Sequence, residues 1–137
     1  MQLQSLFALF VLSGVAIATT ISWDPIYDQS SQSFATVACS DGSNGFLTKG
    51  FPTFGSVPNF PRIGGAAAIE GWNSEACGSC WNLSFQGRTI TVLAVDHAED
   101  GFNISEEAMD ELTDGQAVQF GSIDATVQPV DKSACGL

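Results

Sequence analysis

The sequence predicts a small, mainly-β domain, either a barrel or a sandwich, that is stabilised by disulfide bonds. Short segments with an apolar residue at every second position dominate the chain, as in Trp81-Asn82-Leu83-Ser84-Phe85, and this period is typical of strands. Strands and long helices do not alternate, which disfavours a parallel βαβ architecture. Four cysteines in a short chain indicate a disulfide framework. These observations together favour an all-β domain with one or two short helices.

The N-terminal residues 5–18 form an uncharged, largely apolar run that is short for a bilayer span. The run ends in Ala16-Ile17-Ala18, which has the small-residue pattern of a signal-peptidase site. We therefore predict a signal peptide over residues 1–18 and one domain over residues 19–137. No comparable apolar run follows, so we expect a secreted protein, extracellular or associated with the cell wall, without a membrane anchor.

In the first half of this domain, the sequence predicts little regular structure. A short strand is expected at residues 34–38, and residues 41–45 have turn composition. Residues 50–61 carry three prolines, which exclude a central strand, and three phenylalanines, which should pack onto the core. Residues 66–70 are expected to form one helical turn that ends at Gly71.

In the second half, strands are expected at residues 81–85 and 89–95, the latter being the clearest strand pattern in the chain. Ser105 is a suitable N-cap residue, and the two glutamates after it suit the first turn of a helix. Apolar residues at helical spacing then predict a short helix. Two further short strands are expected at residues 115–120 and 123–130.

The chemistry of Cys77-Gly78-Ser79-Cys80 allows three interpretations: a redox centre, half of a zinc site, or two structural half-cystines. A redox CxxC motif opens a helix, whereas a strand pattern follows here. A zinc site needs four ligands, and the only histidine is His97. We therefore predict two structural disulfides, with no metal and no cofactor. The residues alone leave three possible pairings.

Charge limits the class of partner. The formal net charge is −11, and the four basic residues are scattered along the chain and form no patch: Lys49, Arg62, Arg88 and Lys132. Such a surface repels phosphate backbones and anionic lipids, which argues against nucleic acid and membrane surfaces as partners. Neutral and cationic partners remain compatible with this charge.

A set of motifs is spread over residues 19–137 in a consistent order. They are Ser22-Trp23-Asp24-Pro25-Ile26-Tyr27-Asp28, Val37-Ala38-Cys39-Ser40-Asp41-Gly42, Gly71-Trp72-Asn73 with Cys77-Gly78-Ser79-Cys80-Trp81, and Val95-Asp96 with Gly101-Phe102-Asn103. Together they closely resemble the cerato-platanin family of small secreted fungal proteins. The resemblance implies a six-stranded double-ψ β-barrel related to the first domain of plant expansins. It also implies the disulfides Cys39–Cys77 and Cys80–Cys135.

Asp96 is the main candidate functional residue, because it ends the clearest strand and enters a glycine-containing loop. The alternative from its position alone is an aspartate that caps the loop. The resemblance favours function, since Asp96 matches an acid that the family shares with expansins and related wall-active proteins.

Enzymatic function is the alternative hypothesis. Standard glycoside hydrolysis uses two carboxylates, and Asp96 has no evident second member beyond Asp24 and Asp41, which belong to the family motifs. The expansin-type His-Phe-Asp triplet is missing. Serine catalysis is disfavoured because His97 would be the only base and no G-x-S-x-G motif is present. What remains is weak glycan cleavage in which the single carboxylate of Asp96 acts twice.

Polysaccharide binding is the favoured function, with chitin or other N-acetylglucosamine oligomers as ligands, loosening of wall contacts, and recognition by plant surface receptors as an elicitor. The expected sugar contacts are polar groups on turns and strand ends: Asp96, Asn103, Asp41, Asn44, Tyr27 and Asp24. Four aromatic side chains are candidate apolar faces for pyranose rings: Trp23, Tyr27, Trp72 and Trp81. Trp23 is the best candidate for exposure, and Trp81, on a strand beside a cysteine, is expected in the core. For Trp72, which also lies near a cysteine, a platform and a core position both remain open. A surface-active, hydrophobin-like role lacks the eight-cysteine pattern of those proteins.

Two N-glycosylation sequons are present, at Asn82-Leu83-Ser84 and Asn103-Ile104-Ser105. Asn82 is expected in a strand and is therefore the poorer acceptor. Asn103 is the better candidate, although a glycan there would crowd the expected sugar site.

Overall fold

The structure is a computed structural model that describes residues 18–137. The predicted signal peptide lies outside the described residues, except for Ala18, and it stays a prediction. The strands are β1 (Ala18–Trp23), β2 (Ile63–Ala66), β3 (Cys80–Phe85), β4 (Arg88–His97), β5 (Phe102–Ile104) and β6 (Ser122–Val130). The helices are α1 (Glu106–Thr113) and α2 (Ala117–Phe120), with 3₁₀ turns at Pro25–Asp28, Phe34–Thr36, Phe54–Ser56 and Lys132–Cys135.

The six strands close into a barrel in the order β1-β5-β2-β4-β3-β6. Two neighbouring pairs, β1–β5 and β2–β4, are parallel, and the other four are antiparallel. Closure leaves no unpaired sheet edge, and the inward residues of the strands form the core. The predicted six-stranded barrel with short helices is therefore confirmed.

The single turn predicted at residues 66–70 is present as one hydrogen-bonded turn, in which the N–H of Ile69 donates to the carbonyl of Ala66 at 3.1 Å. Strand β2, which was not predicted, precedes this turn and ends at Ala66. Its sequence, Ile63-Gly64-Gly65-Ala66, has low strand propensity, but the strand is fully buried between β4 and β5. An added Cβ at Gly65 would lie 2.8 Å from the carbonyl oxygen of His97, so the two backbones approach too closely for any other residue. A register shift between Gly64 and Gly65 accompanies this approach.

Two predictions of strands were wrong. Residues 34–38 are not a strand, because Ser33 caps a 3₁₀ turn that buries Phe34 completely. Residues 115–120 are not a strand either, because Asp114 and Gly115 in left-handed conformations end α1 and the Asp110 carboxylate caps α2 by accepting from the N–H of Ala117.

The helix after Ser105 is confirmed as α1. The Ser105 hydroxyl accepts a hydrogen bond from the backbone N–H of Ala108 at 3.1 Å, as an N-cap residue should. The carboxylate of Asp28 accepts from the first two N–H groups of the helix at 2.8 and 3.0 Å. This second cap attaches the 3₁₀ turn Pro25–Asp28 to α1 and gives Asp28 a structural role.

The loop that precedes β2 packs onto the barrel, as its phenylalanines predict. Phe54 is fully buried and contacts Phe34, whose ring stacks on Phe46 with centroids 4.7 Å apart. Phe51 and Phe60 are partly buried against the same core. This segment therefore extends the barrel core with aromatic side chains, although residues 50–61 form no strand.

The disulfides are Cys39–Cys77 and Cys80–Cys135, and all four cysteines are buried. Both pairings implied by the resemblance are thus confirmed. Within residues 18–137, no group of three or more His, Cys, Asp or Glu side chains is arranged to hold a metal ion. In the same part of the chain, no helix is long and apolar enough to cross a bilayer.

Candidate functional site

Asp96 lies at the carboxyl end of β4, where its carboxylate joins three segments. One oxygen, Oδ1, accepts hydrogen bonds from the backbone N–H groups of Ala38 and His97 at 2.9 and 2.8 Å. The other, Oδ2, accepts from the hydroxyl of Tyr27 at 2.9 Å. A carboxylate offers about four lone-pair positions, so roughly one remains for an external donor.

Tyr27 is buried beneath this carboxylate, with 4% of its surface exposed, and its ring stacks on Phe54. Burial raises the pKa of Tyr27 well above its ordinary value, and the negative charges of Asp96 and Asp24 raise it further. Tyr27 therefore remains a hydrogen-bond donor. Asp24 accepts from the N–H of Ile26 and caps the 3₁₀ turn that carries Tyr27.

Asn103 lies on β5, two strands from Asp96. Gly65 of β2 pairs with both residues, one on each side, which places them about 10 Å apart at the usual strand spacing. The hydroxyl of Ser22 donates to Asn103 Oδ1 at 3.0 Å. The amide nitrogen of Asn103 has no hydrogen-bond partner among residues 18–137, so it can donate to a ligand. We call Tyr27, Asp24, Asp96 and Asn103 the Asp96 cluster.

The expected difference between the two sequons does not appear in the structure. Asn103 lies inside a strand that is paired on both sides, and its side chain is half-buried. Asn82 also lies in a strand, as predicted, and accepts a hydrogen bond from Thr91. Glycosylation favours exposed loops, so neither asparagine has the expected surroundings of an acceptor.

The other two predicted contacts, Asp41 and Asn44, belong to a separate cluster around Trp72. Asp41 Oδ1 accepts from the indole N–H of Trp72 at 2.6 Å. Asn44 forms two hydrogen bonds with Asn73, one through its backbone N–H and one through its amide. Gly42 lies against the ring, since a Cβ added there would be 3.1 Å from Trp72 Cζ2. We call these five residues the Trp72 platform.

The predicted exposure was wrong for Trp23, and of the two alternatives for Trp72 the structure shows the surface position. Trp72 is not in the core, because 64% of its surface is exposed. Trp23 is half-buried, and its indole N–H donates to the carbonyl of Ala117 at 2.8 Å. Trp81 packs against the core, as expected. The signal for Trp72 was its position between Gly71 and Asn73, two turn-forming residues that outweigh the nearby cysteine.

The Asp96 cluster and the Trp72 platform lie at the same end of the barrel. The N–H of Ala38 binds Asp96, and the next residue, Cys39, donates its own N–H to Val95. The Cys39–Cys77 disulfide then connects the loop that holds Asp41 to the loop that holds Trp72. His97 also belongs to this end, with Nδ1 at 2.6 Å from the carbonyl of Ile69, which assigns the proton to Nδ1.

The family model described as cerato-platanin matches residues 19–137, which is the whole barrel with both clusters. The chain belongs to the cerato-platanin family. Allergen Asp f 15 of Aspergillus fumigatus is 48% identical to it over 96% of this chain and 93% of the allergen.

Solved structures of cerato-platanins have the same fold. The crystal structure of cerato-platanin 3 from M. perniciosa has a TM-score of 0.85 and 54% identity, covering 88% of this chain and all of that one. The solution structure of the fungal elicitor cerato-platanin has a TM-score of 0.77 and 38% identity, covering 85% and 95% of the two chains. The names of these three proteins describe an allergen, a cerato-platanin and an elicitor, not an enzyme.

Proposed function

We propose that this protein is a secreted, non-catalytic polysaccharide-binding protein that takes N-acetylglucosamine oligomers of the chitin type. In this proposal it loosens polysaccharide contacts in cell walls and is perceived by plants as an elicitor. Family membership supports the elicitor role, because one relative of solved structure is named as a fungal elicitor.

The observation that carries the proposal is that the Asp96 carboxylate already accepts three hydrogen bonds from the protein. A general acid must place a proton on one carboxyl oxygen, but both oxygens of Asp96 already accept hydrogen bonds from the protein. Three of its roughly four lone-pair positions therefore serve the fold. The one remaining lone pair is well suited to accept from a sugar hydroxyl.

Asn103 supplies the complementary group. Its amide N–H can donate to a sugar or acetamido oxygen, from a residue whose Cα lies about 10 Å from that of Asp96. An acceptor and a donor at this distance can bind two points on an oligosaccharide. The same spacing does not assemble an acid and a base around one glycosidic bond.

Weak glycan cleavage is the second candidate function, because one observation favours it. Both Asp96 and Asp24 act electrostatically on the hydroxyl of Tyr27, so two carboxylates lie near one another at this end of the barrel. Paired carboxylates are the usual machinery of glycoside hydrolysis. Against this, Asp24 already caps the turn of Tyr27.

Asp96→Asn separates the two functions while keeping the fold. The amide oxygen can still accept from Ala38 and His97, and the amide nitrogen can donate to the Tyr27 oxygen. For a binding protein, calorimetric titration with an N-acetylglucosamine hexamer should show a loss of about 1–3 kcal/mol in affinity. Reducing ends released from chitin and cellulose should stay at the background of a no-protein control.

Asp124→Asn is the matched control, because Asp124 is exposed on β6 and its loss changes the net charge equally. It should leave binding unchanged. Equal affinities of Asp96→Asn and the wild type would show that Asp96 is a structural cap. Release of reducing ends that disappears in Asp96→Asn while binding persists would establish the enzymatic alternative.

A further inference from the structure

Trp72 is a fixed aromatic surface at the mouth of a cavity. The cavity has a volume of about 430 Å³, and its lining includes Trp72, Glu70, Ser74 and Glu75. The Asp41 carboxylate holds the indole N–H at 2.6 Å, and the backbone of Gly42 supports the ring edge. A ring that is held in place before binding loses little conformational entropy when a ligand stacks on it.

The surroundings of this ring are anionic. Glu70 and Glu75 line the cavity beside it, and Asp41 lies at its edge. The ion pairs within residues 18–137 are Arg62–Glu111 and Arg88–Asp114, so these three carboxylates have no basic partner there. These carboxylates are exposed to water, and a ligand that uses both features of the site combines an apolar face with positive charge.

We infer that the Trp72 platform and its cavity bind a cationic amino sugar, namely the glucosamine units of a deacetylated N-acetylglucosamine polymer. The pyranose ring would lie on the indole, and its ammonium group would pair with Glu70 and Glu75. This inference rests on the proposed polysaccharide function and adds a subsite apart from Asp96. An N-acetylated unit presents a similar ring without the charge, so it would leave the carboxylates unpaired.

A peptide rich in arginine also combines charge with a flat group that stacks on tryptophan. The sugar is favoured because the platform adjoins the Asp96 cluster through residues 38–41. One polymer chain can therefore contact both sites, with acetylated units at Asp96 and deacetylated units at Trp72. The competition experiment below tests the peptide directly.

The test is a calorimetric titration with a glucosamine hexamer and an N-acetylglucosamine hexamer, each at low and high salt. Trp72→Ala should weaken binding of the glucosamine hexamer at least about tenfold through the lost stacking and cation–π contact. Val118→Ala is the control, since Val118 lies on α2 and is 66% exposed, nearly the same as Trp72 at 64%. Trp72→Phe should retain part of the affinity, because it keeps an aromatic face.

The charge contribution is tested by Glu70→Gln combined with Glu75→Gln. This variant should bind the glucosamine hexamer about three- to tenfold more weakly, and its affinity should depend less on salt than that of the wild type. Its affinity for the N-acetylglucosamine hexamer should not change. Asp96→Asn should weaken the N-acetylglucosamine complex more than the glucosamine complex.

Unchanged binding of the glucosamine hexamer in Trp72→Ala, or its absence in the wild type, would overturn the inference. A penta-arginine peptide that displaces the hexamer at lower concentration would also overturn it and assign the platform to a peptide. Failure of the proposed function has a different signature, which is that the wild type does not bind the N-acetylglucosamine hexamer. Circular dichroism of each variant establishes that a lost affinity is not a lost fold.

Discussion

Two aspartates at one end of the barrel each accept a hydrogen bond from an aromatic side chain, with opposite results. Asp96 binds the hydroxyl of Tyr27, which is 4% exposed, and Asp41 binds the indole of Trp72, which is 64% exposed. In the interior, a missing partner leaves buried donors unsatisfied at high cost, whereas at the surface water replaces it. The first pair therefore stabilises the fold, and the second orients a surface.

The largest expected effect comes from removing the disulfide that both regions share. Replacing Cys39 and Cys77 by alanine opens a loop of 38 residues, and the chain-entropy relation then gives a loss of about 4 kcal/mol in the free energy of unfolding. Guanidinium denaturation measures this loss. Hydrogen exchange should rise around both Asp96 and Trp72.

The matched control is the alanine pair at Cys80 and Cys135, which opens a loop of 55 residues and should cost a similar amount. It should leave the Trp72 platform ordered, because neither cysteine joins its two loops. If both variants disturb Trp72 equally, the disulfide Cys39–Cys77 has no special role in the platform.

The next effect is that of Asp96→Ala. The change leaves the hydroxyl of Tyr27 and the N–H groups of Ala38 and His97 without their acceptor, which should cost about 3 kcal/mol of unfolding free energy. Asp96→Asn keeps the two backbone contacts and reverses the third, so only the O–H of Tyr27 loses its acceptor, and the cost should be below about 1.5 kcal/mol. Equal losses in the two variants would mean that charge, not hydrogen-bond satisfaction, makes Asp96 important.

Alkaline pH should lower the unfolding free energy through the buried Tyr27–Asp96 pair and not through the exposed Trp72–Asp41 pair. The pKa of Tyr27 is raised by folding, so the stability linked to it is fully present below its unfolded value near 10 and declines as pH rises. Between about pH 10 and pH 11.5, the unfolding free energy should fall by up to about 2 kcal/mol more in the wild type than in Tyr27→Phe.

Tyr27 is the only tyrosine in the chain, so its ionisation can be followed directly by the ultraviolet absorbance of tyrosinate. In the native protein, this absorbance should appear only at a pH well above that of the denatured chain. Ionisation at the same pH in both states would contradict the buried pair.

How far the sequence predicted these regions depends on the local signal. Strand β4 and helix α1 were predicted because alternation and an N-cap residue are local patterns. Strand β2 was not, since Gly64 and Gly65 are required by the approach of neighbouring strands, which no local pattern encodes.

The candidate site also combines features that a local pattern predicts with contacts that only the folded barrel creates. Asp96 was found because it ends a strong strand, but its binding to Ala38 joins residues 58 positions apart, and only the closed barrel brings them together. The position of Trp72 stayed open in the sequence, because a nearby cysteine favours the core whereas its turn-forming neighbours favour the surface. The residues next to a tryptophan in the sequence do not show whether its ring is buried or is held at the surface by a distant carboxylate.

The smallest effect, and the sharpest contrast with Asp96, is expected for Asp41→Ala. Because Asp41 and Trp72 are exposed, water can replace their hydrogen bond, and the loss of unfolding free energy should be about 0.5 kcal/mol. The ring of Trp72 should nevertheless become mobile, which nitrogen-15 relaxation of its indole N–H detects. Trp23 and Trp81 serve as internal references, since their indoles bind Ala117 and Ser79 and should not change.

A loss above about 2 kcal/mol in the unfolding free energy of Asp41→Ala would place Asp41 among the buried, fold-stabilising groups. An indole that stays rigid would show that the backbone at Gly42 is sufficient to hold Trp72, and the contrast between the two aspartates would then reduce to burial alone.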